Sequence, residues 1–195
     1  MSKIFIVMGK SATGKDTIFK ELIERTKGTL KTVVPYTTRP IRTGETDGVE
    51  YHFVTQEEKD RLKTQGKIIE QRVYHTVLGE WTYFTADDGQ IDLQSESYIM
   101  ISTLEGYENL VHFFGEENVI PIYIEVEDGE RLGRALNRER RQEQPKYEEL
   151  CRRFLADQKD FQEENLERLH IRKRYYNVEK EQCIQQILSD IVSLI

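Results

Sequence analysis

Cysteine, proline and tryptophan are scarce in this sequence. Its 195 residues include two cysteines, four prolines and one tryptophan. Two cysteines, Cys151 and Cys183, cannot build a disulfide framework, and their spacing matches no metal-binding motif. Both lie in segments with a helical pattern, so we expect two reduced, buried thiols.

Long apolar runs and an excess of positive charge are also missing. No apolar run approaches the roughly 20 residues that span a membrane. The opening residues, Met1 to Ile4, lack the apolar length and the small-residue cleavage site of a signal peptide. Acidic residues outnumber basic ones by 35 to 28, and the net charge of −7 disfavours duplex nucleic acid or an anionic membrane as the main partner. We therefore expect a cytoplasmic protein that binds no nucleic acid and no membrane.

The order of the segments indicates the fold class. Hydrophobic residues make up 37% and charged residues 32%, which is typical of a globular chain with a substantial core. Apolar segments of strand and helix length alternate, which predicts an α/β fold with a mostly parallel sheet between helices. Strands are predicted at residues 4–8, 30–34, 98–102, 119–126 and 174–178, and helices at 15–27, 104–114, 128–141, 147–161 and 179–192.

A different pattern occupies residues 35–88. Its segments are shorter, with strands predicted at 50–54, 68–74 and 81–84 and one helix at 56–64. Short strands without intervening long helices indicate a small antiparallel insert rather than a further βα unit.

A glycine-containing loop follows the first predicted strand and opens the first predicted helix. There, backbone N–H groups and the positive end of the helix dipole converge on one point where a polyphosphate can bind. Lys15 adds a charge for the phosphate oxygens, and the glycines permit close backbone approach and positive φ. This phosphate loop consists of Gly9, Lys10, Ser11, Ala12, Thr13, Gly14, Lys15, Asp16 and Thr17. A strand-to-helix turn without a ligand has a similar pattern, but the flanking segments favour phosphate binding.

One position departs from the usual phosphate-loop pattern. The residue after the lysine is normally Ser or Thr, which holds magnesium, whereas here it is Asp16 and the hydroxyl follows at Thr17. A carboxylate is also a magnesium ligand. Its charge beside a triphosphate is unfavourable unless a metal lies between them. We expect Asp16 and Thr17 to contact the metal.

A second motif, from Pro35 to Val54, suits a phosphate monoester. Arg39 and Arg42 offer bidentate guanidinium groups, and Tyr51 offers a phenolic donor. The residues alone leave a plainer interpretation open, in which the arginines lie on a solvated loop and Tyr51 packs a strand.

Taken together, the two motifs closely resemble the guanylate kinase family. The second motif reads Thr-Thr-Arg-Pro-Ile-Arg-Thr-Gly-Glu over residues 37–45, followed by Gly48, Tyr51, Phe53 and Val54. The resemblance runs to about Glu70 and continues more weakly through the arginine-rich helices. It implies transfer of the γ-phosphoryl group of ATP to GMP, with Mg²⁺. It also implies a P-loop NTPase-type α/β fold, whose mostly parallel sheet has helices on both faces, with a small mixed α+β acceptor-binding insert and a helical lid.

The resemblance implies a role for several side chains. Arg39, Arg42 and Tyr51 would hold the acceptor phosphate, and Glu70 would accept hydrogen bonds from N1 and N2 of guanine. Tyr83 and Thr85 would also contact the acceptor, although extra residues precede them here. The implied catalytic set, which neutralises the phosphoryl group in flight, comprises Lys15, Arg39, Arg134, Arg138 and Arg153. Most charged residues on such helices are solvated, so we expect two or three helical arginines to act.

The implied organisation is a single domain over residues 1–195. Its core covers about 1–34 and 96–195, the insert about 35–95 and the lid about 128–155. The implied partners are ATP and a nucleoside monophosphate, and we expect a monomer or a homodimer.

Three positions depart from the family's pattern. Pro35 replaces a serine that helps to read guanine, and proline has neither a hydroxyl nor an N–H. Ile101 and Thr103 replace two aspartates that serve the metal and the base. Asp16 is the third departure, and we hypothesise that its carboxylate replaces the charge lost at Ile101.

Two alternatives remain open at this point. One is a kinase of the same shape that acts on another phosphorylated acceptor, such as a ribose bisphosphate. The other is a binding module that holds a nucleotide or a phosphorylated partner without turnover. Lys15 and the helical arginines favour chemistry, whereas the missing aspartates favour the module.

Overall fold

A parallel sheet of five strands forms the centre of the molecule. The computed structural model describes residues 2–76 and 79–195, and over these residues it contains nine strands and seven helices. The strands are β1 (Ile4–Met8), β2 (Leu30–Thr32), β3 (Tyr36–Thr37), β4 (His52–Phe53), β5 (Ile68–Thr76), β6 (Gly79–Ala86), β7 (Ser97–Ile101), β8 (Val119–Glu125) and β9 (Arg174–Tyr176). In the described residues the central sheet has the order β2-β7-β1-β8-β9, and every pairing in it is parallel.

Helices cover both faces of this sheet. They are α1 (Lys15–Arg25), α2 (Gln56–Thr64), α3 (Leu104–Phe114), α4 (Asp128–Glu139), α5 (Tyr147–Asp160), α6 (Glu163–Arg168) and α7 (Lys180–Leu194). β1 is buried along its whole length and alternates between two cores. Ile4, Ile6 and Met8 pack with α3 and α6, whereas Phe5 and Val7 pack with α1 and α7. Burial on both faces explains why the strand is an unbroken apolar run.

The insert forms a second sheet, in the order β4-β3-β6-β5. β6 pairs antiparallel with β3 and β5, but β3 and β4 pair in parallel. The prediction of an antiparallel insert was therefore wrong for this pair. The reason is that the chain between β3 and β4 crosses back to the end of the sheet where β3 begins, so both strands run in the same direction. α2 begins after Thr55, which forms a capping box with Glu58.

The predicted bounds hold to within two residues, but two elements, β3 and α6, were not predicted. α6 was missed because six residues with one buried side chain, Leu166, give no helical periodicity. β6 extends two residues beyond the prediction at each end. Both cysteines are free, but only Cys183 is buried. Cys151 is exposed because α5 has no buried residue, and burial raises the pKa of the Cys183 thiol to about 11.

Across residues 2–76 and 79–195, the structure has no helix that is long and apolar enough to cross a bilayer.

Candidate active site at the phosphate loop and the insert

The phosphate loop joins β1 to α1 in the geometry of an anion cradle. Ala12 has φ of 65° and Gly14 has φ of 84°, so the chain alternates into the left-handed region twice before the helix begins. Such alternation points successive N–H groups toward one concavity. The N-terminus of α1, with Gly14 as its N-cap, opens on the same loop and contributes the helix dipole.

Close packing forces glycine at two loop positions. A Cβ on Gly9 would lie 2.4 Å from the carbonyl oxygen of Ile124, and one on Gly14 would lie 2.6 Å from Nδ2 of Asn177. Asn177 is buried, and its amide donates a 2.8 Å hydrogen bond to the carbonyl oxygen of Thr13. The backbone of the loop is thus fixed by its neighbours and does not depend on a ligand for its shape.

Lys15 lies where the sequence places it, at the first position of α1. Its ammonium group is 3.7 Å from the Asp16 carboxylate, and the Asp16 side chain is 76% exposed. Thr17 is also exposed. The loop therefore presents one cation and one anion side by side at its rim.

Lys10 and Ser11 connect the loop to α4 and α5. The Lys10 ammonium group lies 3.4 Å from Oδ1 of Asp128 at the start of α4 and donates to Gln158 on α5. The Ser11 N–H donates a 2.8 Å hydrogen bond to Asp157 on α5. Although partial burial opposes it, donation from Gln158 and from Arg131 and the charge of Lys10 lower the pKa of Asp128.

Arg131 completes this connection from the interior. Its side chain is 1% exposed and bonds Asp128 at 2.8 Å and Asp157 at 3.3 Å. Its guanidinium also stacks 4.2 Å from the ring centroid of Phe154. A buried arginine needs such partners, so α4 and α5 are locked to each other and to the loop.

The three predicted lid arginines occupy different positions. Arg138 and Arg153 line one cavity of about 110 Å³, together with Ser11 of the loop. Arg153 also pairs with Glu149 at 2.8 Å, and donation from Arg152, with that of Arg153, lowers the pKa of Glu149 to about 2. Arg134 pairs with Glu130 and donates to the carbonyl oxygen of Asn177 at 3.3 Å. The cavity therefore receives two of the three, plus Arg131.

In the insert, Arg39 is held in a network. Its guanidinium forms a bidentate pair with Glu45 at 2.8 and 2.9 Å, and its Nε donates to the Tyr83 hydroxyl at 3.1 Å. Arg39 is 3% exposed. Donation from Arg39, and from the Arg42 N–H, lowers the pKa of Glu45. The Arg39 guanidinium is therefore held in one position, and Glu45 and Tyr83 already use part of its hydrogen-bonding capacity.

Tyr51 and Arg42 lie beside the Arg39 guanidinium. The Tyr51 ring lies 5.6 Å from the Arg39 guanidinium and 5.4 Å from the Tyr83 ring, and burial raises the pKa of its phenol. The Arg42 side chain is exposed. Arg39, Tyr51 and Tyr83 form one cluster, and Arg42 borders it through the bond from its backbone N–H to Glu45.

Glu70 and Thr85 form a second cluster on the same sheet. They are paired across β5 and β6, and the Thr85 hydroxyl donates to Oε1 of Glu70 at 2.8 Å. Both residues are buried. Side chains two residues apart share a face of a strand, so Tyr83 and Thr85 point the same way.

The departing positions have local structural roles. The Thr103 hydroxyl caps α3 by accepting from the Gly106 N–H at 3.2 Å. Ile101 lies in register beside Val7 in the central sheet. Pro35 uses its carbonyl oxygen to accept from the His52 N–H at 2.9 Å.

Several residues of this site were not predicted. Asn177 follows β9 at the carboxyl end of the parallel sheet, where ligand crevices form, and that position was a usable signal. Arg131 was visible only as one of many helical arginines. No signal in the sequence connects Asp128 and Asp157 to the loop, because that connection depends on how α4 and α5 pack.

Comparisons with known proteins agree with this arrangement. The family model described as guanylate kinase matches residues 1–167. Guanylate kinase of Neisseria gonorrhoeae is 38% identical over 102 residues, which cover 52% of this chain and 47% of that protein. Guanylate kinase of Chlorobaculum tepidum is 32% identical over 136 residues, covering 69% of this chain and 67% of that protein. This chain thus spans about half the length of the Neisseria relative.

A solved structure shows the same fold. The crystal structure of guanylate kinase from Anaplasma phagocytophilum has a TM-score of 0.62 and 23% identity, and the alignment covers 98% of this chain and 85% of that one. At this identity the likeness concerns architecture alone. The family model, however, includes both the phosphate loop and the insert motif, and this chain belongs to the guanylate kinase family.

Proposed function

We propose that this protein transfers the γ-phosphoryl group of ATP to a nucleoside monophosphate, converting GMP and ATP to GDP and ADP. The observation that carries the proposal is the phosphate loop, whose backbone is fixed as an anion cradle with Lys15 at its mouth. Family membership supports it, since the match includes the acceptor motif as well.

The loop fits the phosphates of ATP. N–H groups around Ala12 and Gly14 would bind phosphate oxygens, and Lys15 would neutralise charge on the transferred group. Arg138 and Arg153 border the cavity that Ser11 also lines, so they are placed to approach the same phosphates. Arg134 would act through its contact with Asn177.

Magnesium would be held at the rim of the loop. Within residues 2–76 and 79–195 no group of three His, Cys, Asp or Glu side chains could bind a metal. Magnesium usually takes one or two carboxylates with substrate phosphates and waters, so the exposed Asp16 carboxylate fits it, with Thr17 beside it. When bound, the metal supplies charge neutralisation between the phosphates. An Asp16→Ser variant with an unchanged magnesium requirement in a titration would refute this role of Asp16.

The insert would hold the acceptor. Arg39, Arg42 and Tyr51 would bind its phosphate, with Tyr83 fixing Arg39 by the 3.1 Å bond. Glu70 would bind the base, with Thr85 orienting its carboxylate. Approach of the acceptor phosphate to Arg39 competes with Glu45 for the same guanidinium.

We infer one domain over 1–195, with the insert at about 35–95 and a lid at about 128–155 that excludes water from the phosphoryl group. The monomeric or homodimeric state and the cytoplasmic location stay predictions.

A coupled assay of ADP release tests the function. Candidate acceptors are GMP, AMP, CMP, UMP and a ribose bisphosphate, with ATP and magnesium present. Turnover with GMP above the others is expected. Turnover with the sugar phosphate alone, or GMP binding without ADP release, would refute the proposal in favour of another acceptor or of a binding module.

A further inference from the structure

Three buried polar atoms lie unpaired between the insert sheet and α3. They are Oε2 of Glu70, Nε of Arg72 and Oγ of Ser102, and none has a hydrogen-bond partner among the residues that the structure describes. Leaving one such atom unpaired costs about 1–3 kcal/mol. A group of them indicates that a partner is supplied from outside the chain.

These atoms are close to each other. Nε of Arg72 is 3.4 Å from Oε2 of Glu70, at an angle that makes no hydrogen bond. A Cβ on Gly106 would lie 3.4 Å from that same oxygen and 2.1 Å from Oγ of Ser102. The Ser102 hydroxyl thus fills the space that a side chain at position 106 would need, and both oxygens lie against Gly106 at the start of α3.

The strand register places Arg72 between the two clusters of the insert. Arg72 pairs with Tyr83, and Glu70 pairs with Thr85, on neighbouring positions of β5 and β6. Tyr83 contacts Arg39 at the phosphate end, whereas Thr85 contacts Glu70 at the other end. Arg72 and Glu70 therefore lie side by side as an ion pair, and Nε of Arg72 and Oε2 of Glu70 are each without a hydrogen bond.

The order of donor and acceptor selects a type of base. A 6-oxopurine offers an acceptor, O6, next to a donor, N1–H, whereas adenine offers a donor, the N6 amino group, next to the acceptor N1. We propose that Arg72 donates to O6 of the acceptor base while Glu70 accepts from N1–H. Arg72 is then a specificity-determining residue, and it supplies the donor that Pro35 lacks. This inference rests on the proposed function.

Calorimetric titrations of GMP, IMP and AMP test this role. The proteins are the wild type, Arg72→Met and the control Arg61→Met, which removes an exposed arginine of α2. Losing a hydrogen bond from a charged donor should weaken GMP and IMP binding by about 10- to 100-fold in Arg72→Met and change AMP binding by less than about 2-fold. The ratio of GMP to IMP affinity should stay unchanged, because the N2 amino group that separates them faces Glu70. Arg61→Met should behave as the wild type.

Two results would overturn the assignment of Arg72 to O6. Equal losses for GMP, IMP and AMP would mean that Arg72 contacts the phosphate, and an unchanged GMP affinity would mean that it contacts nothing. Should Arg72→Met fail to fold by circular dichroism, 6-thioguanosine 5′-monophosphate, which keeps N1–H and replaces O6 by a weaker sulfur acceptor, gives the test in the wild type. Binding of this analogue as tightly as GMP overturns the proposal. A wild type that binds no nucleotide refutes the proposed function itself, whereas GMP binding without an effect of Arg72 refutes only the present inference.

Discussion

The two halves of the candidate site are built from different parts of the chain. The phosphate loop is shaped by close packing around its main chain, with Gly9 against the Ile124 carbonyl oxygen and Gly14 against the Asn177 side chain. The acceptor side is shaped by side chains, with Arg39 on Glu45 and Thr85 on Glu70. A cradle made of backbone tolerates a changed side chain such as Asp16. For a pocket made of side chains, we expect each substitution to change the ligand preference.

The largest expected effect comes from Lys15, the loop side chain that we propose neutralises the transferred phosphoryl group. Lys15→Met should lower kcat by about 10²- to 10³-fold, because the variant loses one preorganised charge at the transferred phosphoryl group. Steady-state kinetics measure it, with Lys20→Met, an exposed residue of α1, as the control. A kcat equal to that of Lys20→Met would contradict the assignment.

Gly9→Ala should destabilise the protein at the phosphate loop. Its Cβ would meet the Ile124 oxygen at 2.4 Å, and both atoms belong to the packed interior, so we expect a loss of about 2–4 kcal/mol in the free energy of unfolding. Urea denaturation measures it. Gly133→Ala is the matched control, because no atom lies within 4 Å of its Cβ, and it should gain about 0.5–1 kcal/mol in the helix. Equal stability of the two variants would show that the contact at Gly9 is unimportant.

Thr85→Val should perturb the cluster that Glu70 and Thr85 form in the insert. It removes the 2.8 Å donor to the buried Glu70 carboxylate, so the free energy of unfolding should fall by about 1–3 kcal/mol and the KM for the acceptor should rise with the KM for ATP unchanged. Thr64→Val on exposed α2 is the control for the change of hydroxyl. A rise in the KM for ATP instead would separate Thr85 from the acceptor.

Ala12→Gly should stabilise the loop slightly. Alanine at φ of 65° is in the left-handed region, which costs a residue with a Cβ about 1–2 kcal/mol, and glycine relieves part of that strain. We expect a gain of up to about 1 kcal/mol in thermal unfolding. Ala135→Gly in α4 should instead lose about 1 kcal/mol, and a loss at both positions would mean that the strain at Ala12 is absent.

The smallest effect is a pH dependence of the acceptor side. The pKa of Glu45 lies below its ordinary 4.5 in the folded protein, because Arg39 and the Arg42 N–H hold the charged form. The pair therefore adds stability above pH 4.5, and this stability is lost as the pH falls through the lowered value. Melting temperatures of the wild type and Glu45→Gln should converge on acidification below pH 4.5. A difference in melting temperature that stays constant with pH would show that the Glu45 carboxylate does not contribute this stability.

Local patterns predicted the elements that local physics decides. β1, α2 and α3 begin and end as expected, since a buried apolar run, a capping box and a threonine N-cap are all readable within a few residues. The phosphate loop was readable for the same reason, because its turn, lysine and helix start are contiguous.

Other features escaped prediction because they depend on distant residues. α6 is held by one buried leucine, and the two-residue β3 exists through its pairing with β4 and β6. The connection between the phosphate loop and α5 joins Ser11 to Asp157, far apart in the sequence. Thr103 is a capping residue because of where β7 ends, which its identity alone does not reveal.

By itself the sequence determined which residues can bind phosphate and which segments become strands and helices, because both follow from residue types at short spacing. Only the tertiary structure decided which charges are already paired and which buried atoms still need a partner. Arg39 forms a bidentate pair with Glu45, whereas Nε of Arg72 lies 3.4 Å from Glu70 without a hydrogen bond, a difference that the residue types alone do not show. The physical reason is that hydrogen bonding and desolvation depend on distance and burial, and both are set by the packing of the insert against α3.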